Sequence, residues 1–189
     1  MPSIISHPAI PLAVGVGLGS GIIPRRLLLG GILCSVIPDL DVYAQLYTAS
    51  IGHRGITHSI LFAFLCAAAA ALIAPHLHAR PAAAFLFVFL ATASHGVLDA
   101  FTNGGPGITF FWPLSAEGYF MPFRVIEVSP LGIARFFSAR GAAVLVSELK
   151  WVWLPALIFV AGLYALRRAY TRPVVGDRRA DVTHTSSTT

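Results

Sequence analysis

Five long apolar segments follow one another along this chain of 189 residues, and few charges interrupt them. They cover roughly residues 10–23, 27–37, 60–74, 82–98 and 151–166. Only 11% of the residues are charged, whereas an average soluble domain has about 25%, which argues against a soluble enzyme, a disordered chain and a coiled coil. Since a helix of about 20 apolar residues crosses a bilayer core, the pattern predicts an all-α, polytopic membrane helix bundle with about five transmembrane helices. We expect one membrane-embedded domain over residues 1–170, with an external segment at 101–150.

The first two apolar segments are short for a bilayer core of about 30 Å. We expect them to tilt, to extend beyond these limits or to pack against other parts of the protein. Two G-x-x-x-G spacings in the first segment either permit close helix contact or reflect the ordinary abundance of glycine in membrane helices. They are formed by Gly15, Gly17, Gly19 and Gly21. Cys34 and Cys66 lie inside apolar runs and are interpreted as small buried hydrophobic residues.

Basic residues concentrate at alternate connections between the apolar segments. Eight arginines follow the first, third or fifth segment: Arg25, Arg26, Arg80, Arg167, Arg168, Arg172, Arg178 and Arg179. If successive segments alternate in direction, all eight lie on one side, which the usual excess of Lys and Arg assigns to the cytoplasm. This placement explains the net charge of +5 without a nucleic-acid partner, and no such partner is expected. The polar tail at 171–189 is predicted to be a disordered cytoplasmic end.

Histidines and aspartates concentrate at the other ends of the first four segments. They occur just before the first segment and in the strings IPDLD, GHRGITHS and SHGVLDAFTNGG. The seven residues are His7, Asp39, Asp41, His53, His58, His95 and Asp99. With alternating helix directions, all of them lie at the outer, extracytoplasmic face. The arginine pattern and the His/Asp pattern therefore indicate the same arrangement independently.

Local spacing allows several of these side chains to share a centre. His95 and Asp99 are four residues apart, so they project from the same helical face one turn apart. Asp39 and Asp41 follow Pro38, which disfavours helical geometry in the residue before it, so an extended turn lets both carboxylates approach one point. The two histidines of the GHRGITHS loop are five residues apart around a glycine, and this loop can fold back on itself.

Ionisable groups at membrane depth are costly and usually face a partner or a cavity. A divalent cation neutralises the aspartates, and imidazole with carboxylate suits Zn²⁺, with Mn²⁺, Fe and Ni²⁺ as alternatives. Seven candidate ligands exceed one tetrahedral site, so we expect one or two ions, about 3.5–4 Å apart if there are two. Asp41 is expected to be a further ligand or the general base. Arg54 either stabilises anionic charge in the transition state or forms an ion pair with Asp39 or Asp41.

The strings around His7, PDLD (38–41), HRGITHS (53–59) and SHGVLDAFTNGG (94–105), with the later FWPLS, resemble the signature of the YdjM-like family. The resemblance covers roughly residues 1–115 and implies a metal-dependent hydrolase of the bacterial inner membrane. The chain is also distantly similar to zinc-dependent phospholipase C and the P1-type nucleases, whose H-x-x-x-D ligand pair is matched by His95 and Asp99. That similarity implies a helical enzyme with clustered zinc ions.

We therefore expect a membrane-bound, metal-dependent hydrolase. Metal-activated water would cleave a phosphoester or related ester of a membrane lipid or lipid-linked substrate at the outer face of the membrane. Two alternatives stay open, namely a structural metal-binding membrane protein and a metal or proton transporter. The oligomeric state is not determined by the sequence.

Overall fold

The computed structural model of the protein describes residues 1–42, 54–130 and 132–170, and within these ranges the regular structure is helical. The helices are α1 (Ala9–Leu18), α2 (Arg25–Val36), α3 (Ile60–Leu72), α4 (Pro81–Ala100), α5 (Ile133–Phe136), α6 (Ala139–Glu148) and α7 (Leu154–Tyr170). No strand occurs in the described ranges, where two isolated β-bridges join Thr102 to Ile126 and Ile108 to Tyr119. The predicted all-α class is confirmed. The tail predicted to be disordered lies outside the described residues.

Small residues let the helices of the bundle pack closely. Helix α4 packs against both α2 and α3, while α1 packs against α7. Between α2 and α4, a Cβ atom on Gly31 would lie 2.3 Å from a ring carbon of Phe87, and that ring is itself buried. Alanines 67 and 70 of α3 are buried. The core of the bundle is therefore built on close backbone approach as much as on large apolar side chains.

The glycines of α1 support helix contacts, as one of the two interpretations predicted. Gly15 faces Leu28 of α2, and Gly17 faces Leu163 of α7; an added Cβ would lie 2.5 Å and 2.6 Å from those side chains. Helix α1 ends earlier than its apolar segment because Gly19 has a φ of +78°. At this end Arg167 donates from Nη1 to the Gly17 carbonyl oxygen at 3.2 Å.

Fewer helices can span a membrane than the sequence pattern indicated. By length and composition, the described residues contain two such helices, Pro81–Ala100 and the continuous helical run Ala139–Tyr170. Helices α1, α2 and α3 have 10, 12 and 13 residues, which at about 1.5 Å per residue is well short of a bilayer core of about 30 Å. The expected number of about five spanning helices is corrected to two in the part of the chain described. Each of the five apolar segments contains a helix, but the first three helices have only 10 to 13 residues.

The segment expected to be wholly external also differs from the prediction. Residues 101–130 form an irregular covering over one end of the bundle, but α6 begins at Ala139 and continues through a π-helical turn, Leu149–Trp153, into α7. Because α6 contains charged residues, the pattern of apolar segments did not predict a helix there. Those charges are satisfied by tertiary contacts: Arg140 pairs with Glu127 at 2.7 Å, and Glu148 accepts hydrogen bonds from Ser3.

Candidate metal centre

Four side chains from three helix ends converge at one end of the bundle. A 3₁₀ turn after α2 carries Asp39, a second 3₁₀ turn before α3 carries His58, and the last turns of α4 carry His95 and Asp99. One ligand atom from each lies within 4.8 Å of every other. All four side chains are buried, with at most 4% of each residue exposed.

The backbone near α4 is shaped to bring these ends together. Gly96 follows His95, and a Cβ at this position would lie 3.0 Å from the carbonyl oxygen of His58. A larger residue would therefore push the His58 turn away from α4. That turn leads into α3 through Ser59, whose hydroxyl accepts a hydrogen bond from the Phe62 N–H at 3.1 Å as an N-cap.

The hydrogen-bond network assigns the tautomer of His95. Its Nδ1 lies 2.8 Å from the carbonyl oxygen of Ser35. Because a carbonyl oxygen only accepts, Nδ1 carries the proton and donates. The lone pair of a neutral ring is then on Nε2, which points into the cluster and lies 3.4 Å from Oδ1 of Asp39. This is the usual orientation of a metal-binding histidine.

The same reasoning applies to His58. The hydroxyl of Thr57 donates to Oδ2 of Asp41 at 2.8 Å, so its oxygen is left to accept from Nδ1 of His58 at 3.0 Å. Nε2 of a neutral His58 ring then presents a lone pair, 3.0 Å from Nε2 of His95. Two facing lone pairs repel, and a shared cation removes that repulsion.

Without a cation, a proton takes its place. Burial lowers the pKa of the His58 ring, but the nearby carboxylates of Asp41 and Asp99 outweigh that effect and raise the pKa above its ordinary value. The pKa of Asp39 is likewise set by opposing effects. Burial raises it, whereas the neighbouring His95 and His7 bring it below its ordinary value, so Asp39 is ionised. A metal ion and a proton on His58 therefore compete for the same centre.

The carboxylates provide the clearest test of whether a cation fits. Both oxygens of Asp39 and both oxygens of Asp99 are buried without a hydrogen-bond partner among the described residues. Buried charges are expensive unless they are paired or bind a metal. Zn²⁺ ligands with bonds of about 2.0–2.1 Å at tetrahedral angles lie about 3.3 Å apart, close to the 3.4 Å between Nε2 of His58 and Oδ2 of Asp99. The donor set and its spacing fit a divalent metal ion.

His7 lies beside this group of four. Its ring stacks on His95, with a centroid distance of 3.7 Å and an interplanar angle of 17°. Nε2 of His7 lies 3.4 Å from Oδ2 of Asp39 and 3.8 Å from Oδ1 of Asp99. Burial, and next the neighbouring His95, lower the pKa of His7 to about 3, so the ring is neutral. The amino nitrogen of Met1 also lies near, 4.0 Å from Oδ1 of Asp99.

Asp41 and Arg54 lie outside the group of four. Asp41 is behind His58, where its Oδ2 accepts from the Thr57 hydroxyl and from the backbone N–H of Arg54. These contacts orient His58, and the expected role of Asp41 as a further ligand or as the general base stays a prediction. Arg54 is 1% exposed, and its Nε lies 3.3 Å from Oδ2 of Asp99. Of the two expectations for Arg54, an ion pair is present, but its partner is Asp99 and not Asp39 or Asp41.

The guanidinium of Arg54 also ties the covering segment to the centre. It donates to the carbonyl oxygens of Gly104 and Pro106 at 3.1 and 2.6 Å and to the Thr102 hydroxyl at 3.1 Å. Gly105, with a φ of +82°, faces the same group, and a Cβ there would lie 3.1 Å from it. These four contacts occupy Arg54, which leaves little of it to meet an external anion.

His53, predicted as a ligand, lies outside the described residues. Sequence reasoning also missed several supporting groups. The Ser35 carbonyl and the Thr57 hydroxyl orient the imidazoles of His95 and His58. Gly96 permits the close approach of α4 to the turn that carries His58. Only Gly96 left a signal, a glycine inside the HGVLD string. A backbone carbonyl leaves none.

Comparison with known proteins gives a consistent family. The family model described as YdjM inner membrane protein matches residues 1–172. A curated relative, the inner membrane protein YbcI of Escherichia coli (strain K12), is 40% identical over 173 residues, which cover 89% of this chain and 100% of the relative. No solved structure matches the chain. The comparisons contain nothing that supports the expected similarity to phospholipase C or the P1-type nucleases.

Proposed function

The chain belongs to the YdjM inner membrane protein family, and from this premise we propose that it is a metal-dependent hydrolase of the inner membrane. The observation that carries the proposal is the convergence of His58, His95, Asp39 and Asp99 on one buried point, where the oxygens of the two carboxylates have no hydrogen-bond partner among the described residues. The membrane domain is assigned to residues 1–170. A bound divalent ion would supply hydroxide at neutral pH by lowering the pKa of its water to about 7.

The donor set favours a hydrolytic centre over a purely structural one. Structural zinc sites are built mainly from cysteine, whereas imidazole and carboxylate ligands are frequent in catalytic sites. This chain has two cysteines, but Cys34 and Cys66 are free and pack in the apolar core between α2 and α3. Zn²⁺ suits the donors best, with Mn²⁺, Fe and Ni²⁺ as alternatives.

We assign roles to the surrounding residues from their contacts. Asp41 and Thr57 hold His58 in the tautomer that binds metal. Arg54 orients Asp99 and anchors the covering segment at Thr102. The contribution of the chain is to hold Asp39, His58, His95 and Asp99 where they would bind the ion, which would supply the activated water.

The proposed orientation places the centre on the periplasmic side and the C-terminus in the cytoplasm. Arg26, at the start of α2, donates to the carbonyl oxygen of His76 at 3.2 Å, and Arg167 bonds to α1 at Gly17. Arg26 and Arg167 thus lie at the ends of α2 and α7 that are opposite to the centre in the proposed orientation, and cytoplasmic ends carry an excess of such residues. A lipid or lipid-linked phosphoester is the proposed substrate class, because lipid headgroups are the esters nearest to that face.

A structural metal centre is the second candidate, and one observation favours it. The four ligands are at most 4% exposed, as in a closed site, where every coordination position is filled by protein. In that case the metal would join the ends of α2, α3 and α4 without any turnover.

The test uses the full chain purified in detergent, with metals measured by elemental analysis. Hydrolysis is measured on bis(p-nitrophenyl) phosphate and on phospholipid in mixed micelles. We expect bound transition metal and turnover, both abolished in Asp99→Asn and retained in His76→Ala, which changes an exposed histidine. Bound metal without turnover in either assay favours the structural centre. Absence of transition metal from the wild-type protein refutes both candidates.

A further inference from the structure

The two aspartates of the centre present their oxygens in two directions. Oδ1 of Asp39 faces His95 and Oδ2 of Asp99 faces His58, both at 3.4 Å. The other oxygen of each carboxylate faces His7: Oδ2 of Asp39 at 3.4 Å and Oδ1 of Asp99 at 3.8 Å. Each carboxylate therefore has one oxygen in the group of four and one oxygen outside it.

We propose that a second divalent cation binds between His7 and these outer oxygens, so that Asp39 and Asp99 bridge a pair of metal ions. The inference rests on the proposed function for the first ion and adds a second site with its own ligand. Two carboxylates that bridge in this way hold their ions about 3.5–4 Å apart, the spacing of two-metal hydrolytic centres. Zn²⁺ and Mn²⁺ are the ions that this imidazole and carboxylate set suits.

His7 has no other role among its neighbours. Its ring is fully buried, and neither Nδ1 nor Nε2 has a hydrogen-bond partner among the described residues. Buried polar groups are nearly always paired. Nε2 nevertheless lies 3.4 and 3.8 Å from the outer oxygens of the two carboxylates, and these oxygens also have no hydrogen-bond partner among the described residues. A cation between them satisfies Nε2 and both outer oxygens at once.

A direct hydrogen bond accounts less well for the distances. Nitrogen to oxygen hydrogen bonds are typically 2.7–3.2 Å long, and His7 lies 3.4 and 3.8 Å from its two carboxylates. Ligands that share a tetrahedral zinc ion lie about 3.3 Å apart. The Met1 amino group lies 4.0 Å from Oδ1 of Asp99, which is farther from this oxygen than Nε2 of His7.

The experiment counts metals in the intact protein. The wild-type chain, His7→Phe and His76→Ala are purified in detergent, loaded with Mn²⁺ and freed of excess metal. Phenylalanine keeps the ring that stacks on His95 but removes both nitrogens. Metal per chain is measured by elemental analysis, and the coupling between ions by electron paramagnetic resonance, since carboxylate-bridged Mn²⁺ ions give a spin-coupled spectrum and an isolated ion gives six lines.

We expect two ions and a coupled spectrum in the wild type and in His76→Ala, and one ion with the six-line spectrum in His7→Phe. One ion in the wild type, or two ions in His7→Phe, overturns the second site and leaves the first intact. No ion in any of the three proteins instead refutes the proposed function itself. Size-exclusion profiles and circular dichroism verify that His7→Phe is folded, and the metal count of its first site serves as a further control.

Discussion

Replacing Thr57 by valine tests whether the tautomer of His58 controls metal binding. The two side chains have nearly the same shape, but valine lacks the hydroxyl that donates to Asp41 and accepts from His58. No ligand atom is removed. In the variant, Nδ1 of His58 faces Oδ2 of Asp41 at 3.4 Å without the bridging hydroxyl, so the ring is held less firmly with Nε2 towards the metal.

The size of the effect follows from the contacts that remain. Loss of a residue that hydrogen-bonds to a metal ligand typically costs 10–100-fold in metal affinity, or about 1.4–2.8 kcal/mol at 1.4 kcal/mol per factor of ten. Asp41 keeps its hydrogen bond from the Arg54 N–H at 3.2 Å, so one of the supports of the network survives. We therefore expect a loss near the lower limit, about tenfold.

The assay is competition for Zn²⁺ between the detergent-purified protein and a chromophoric chelator. Thr92→Val is the matched control, because the hydroxyl of Thr92 bonds within α4 to the Val88 carbonyl oxygen at 2.9 Å. Its metal affinity should equal that of the wild type. Unchanged affinity in Thr57→Val, or an equal loss in both variants, contradicts the assigned tautomer.

Three further predictions concern packing, burial and pH. Gly96→Ala should destabilise the protein by about 1–3 kcal/mol through overpacking against the carbonyl oxygen of His58, whereas Gly30→Ala, in open space, should be neutral or stabilising; equal melting temperatures would contradict the close approach. Glu148→Ala should cost about 1–3 kcal/mol, because it leaves the buried donors of Ser3 unpaired, and a chemical unfolding midpoint like that of the wild type would refute this. The pKa of His58 is raised in the metal-free centre, so the stability that its proton contributes is complete below the ordinary pKa of 6.5 and is lost as the pH rises through the raised pKa. Metal affinity changes in the opposite sense and falls as the pH drops through the raised pKa. Zn²⁺ titrations between pH 5.5 and 8 measure this, and affinity independent of pH would be the contrary result.

Part of the candidate centre could be predicted from the sequence because it depends on local spacing. His95 and Asp99 lie one helical turn apart, and any helix through that string brings them to one face. That relation involves neighbours in the chain, so sequence reasoning reaches it. The extended turn expected at Pro38 was wrong, because Ile37 keeps helical dihedral angles and Asp39 lies in a 3₁₀ turn.

The errors arose where the partner is distant in sequence. Arg54 was considered beside Asp39 or Asp41, but it pairs with Asp99, 45 positions further along the chain. Glu148 lies within the segment 101–150 that was expected to be external, yet it is buried and bonded to Ser3. No local pattern distinguishes a charge that a remote residue will satisfy from one that water will satisfy.

By itself, the sequence determined that this chain is helical, belongs in a membrane and carries its imidazoles and carboxylates at alternate helix ends, because composition and periodicity act over short stretches of chain. The tertiary structure alone decided which helices are long enough to span the bilayer, that Asp41 supports His58 from behind, and that His7 faces the outer oxygens of two shared carboxylates. Those features depend on how helices separated by tens of residues pack. A displacement of about one ångström there decides whether a side chain binds the metal or only lies near it.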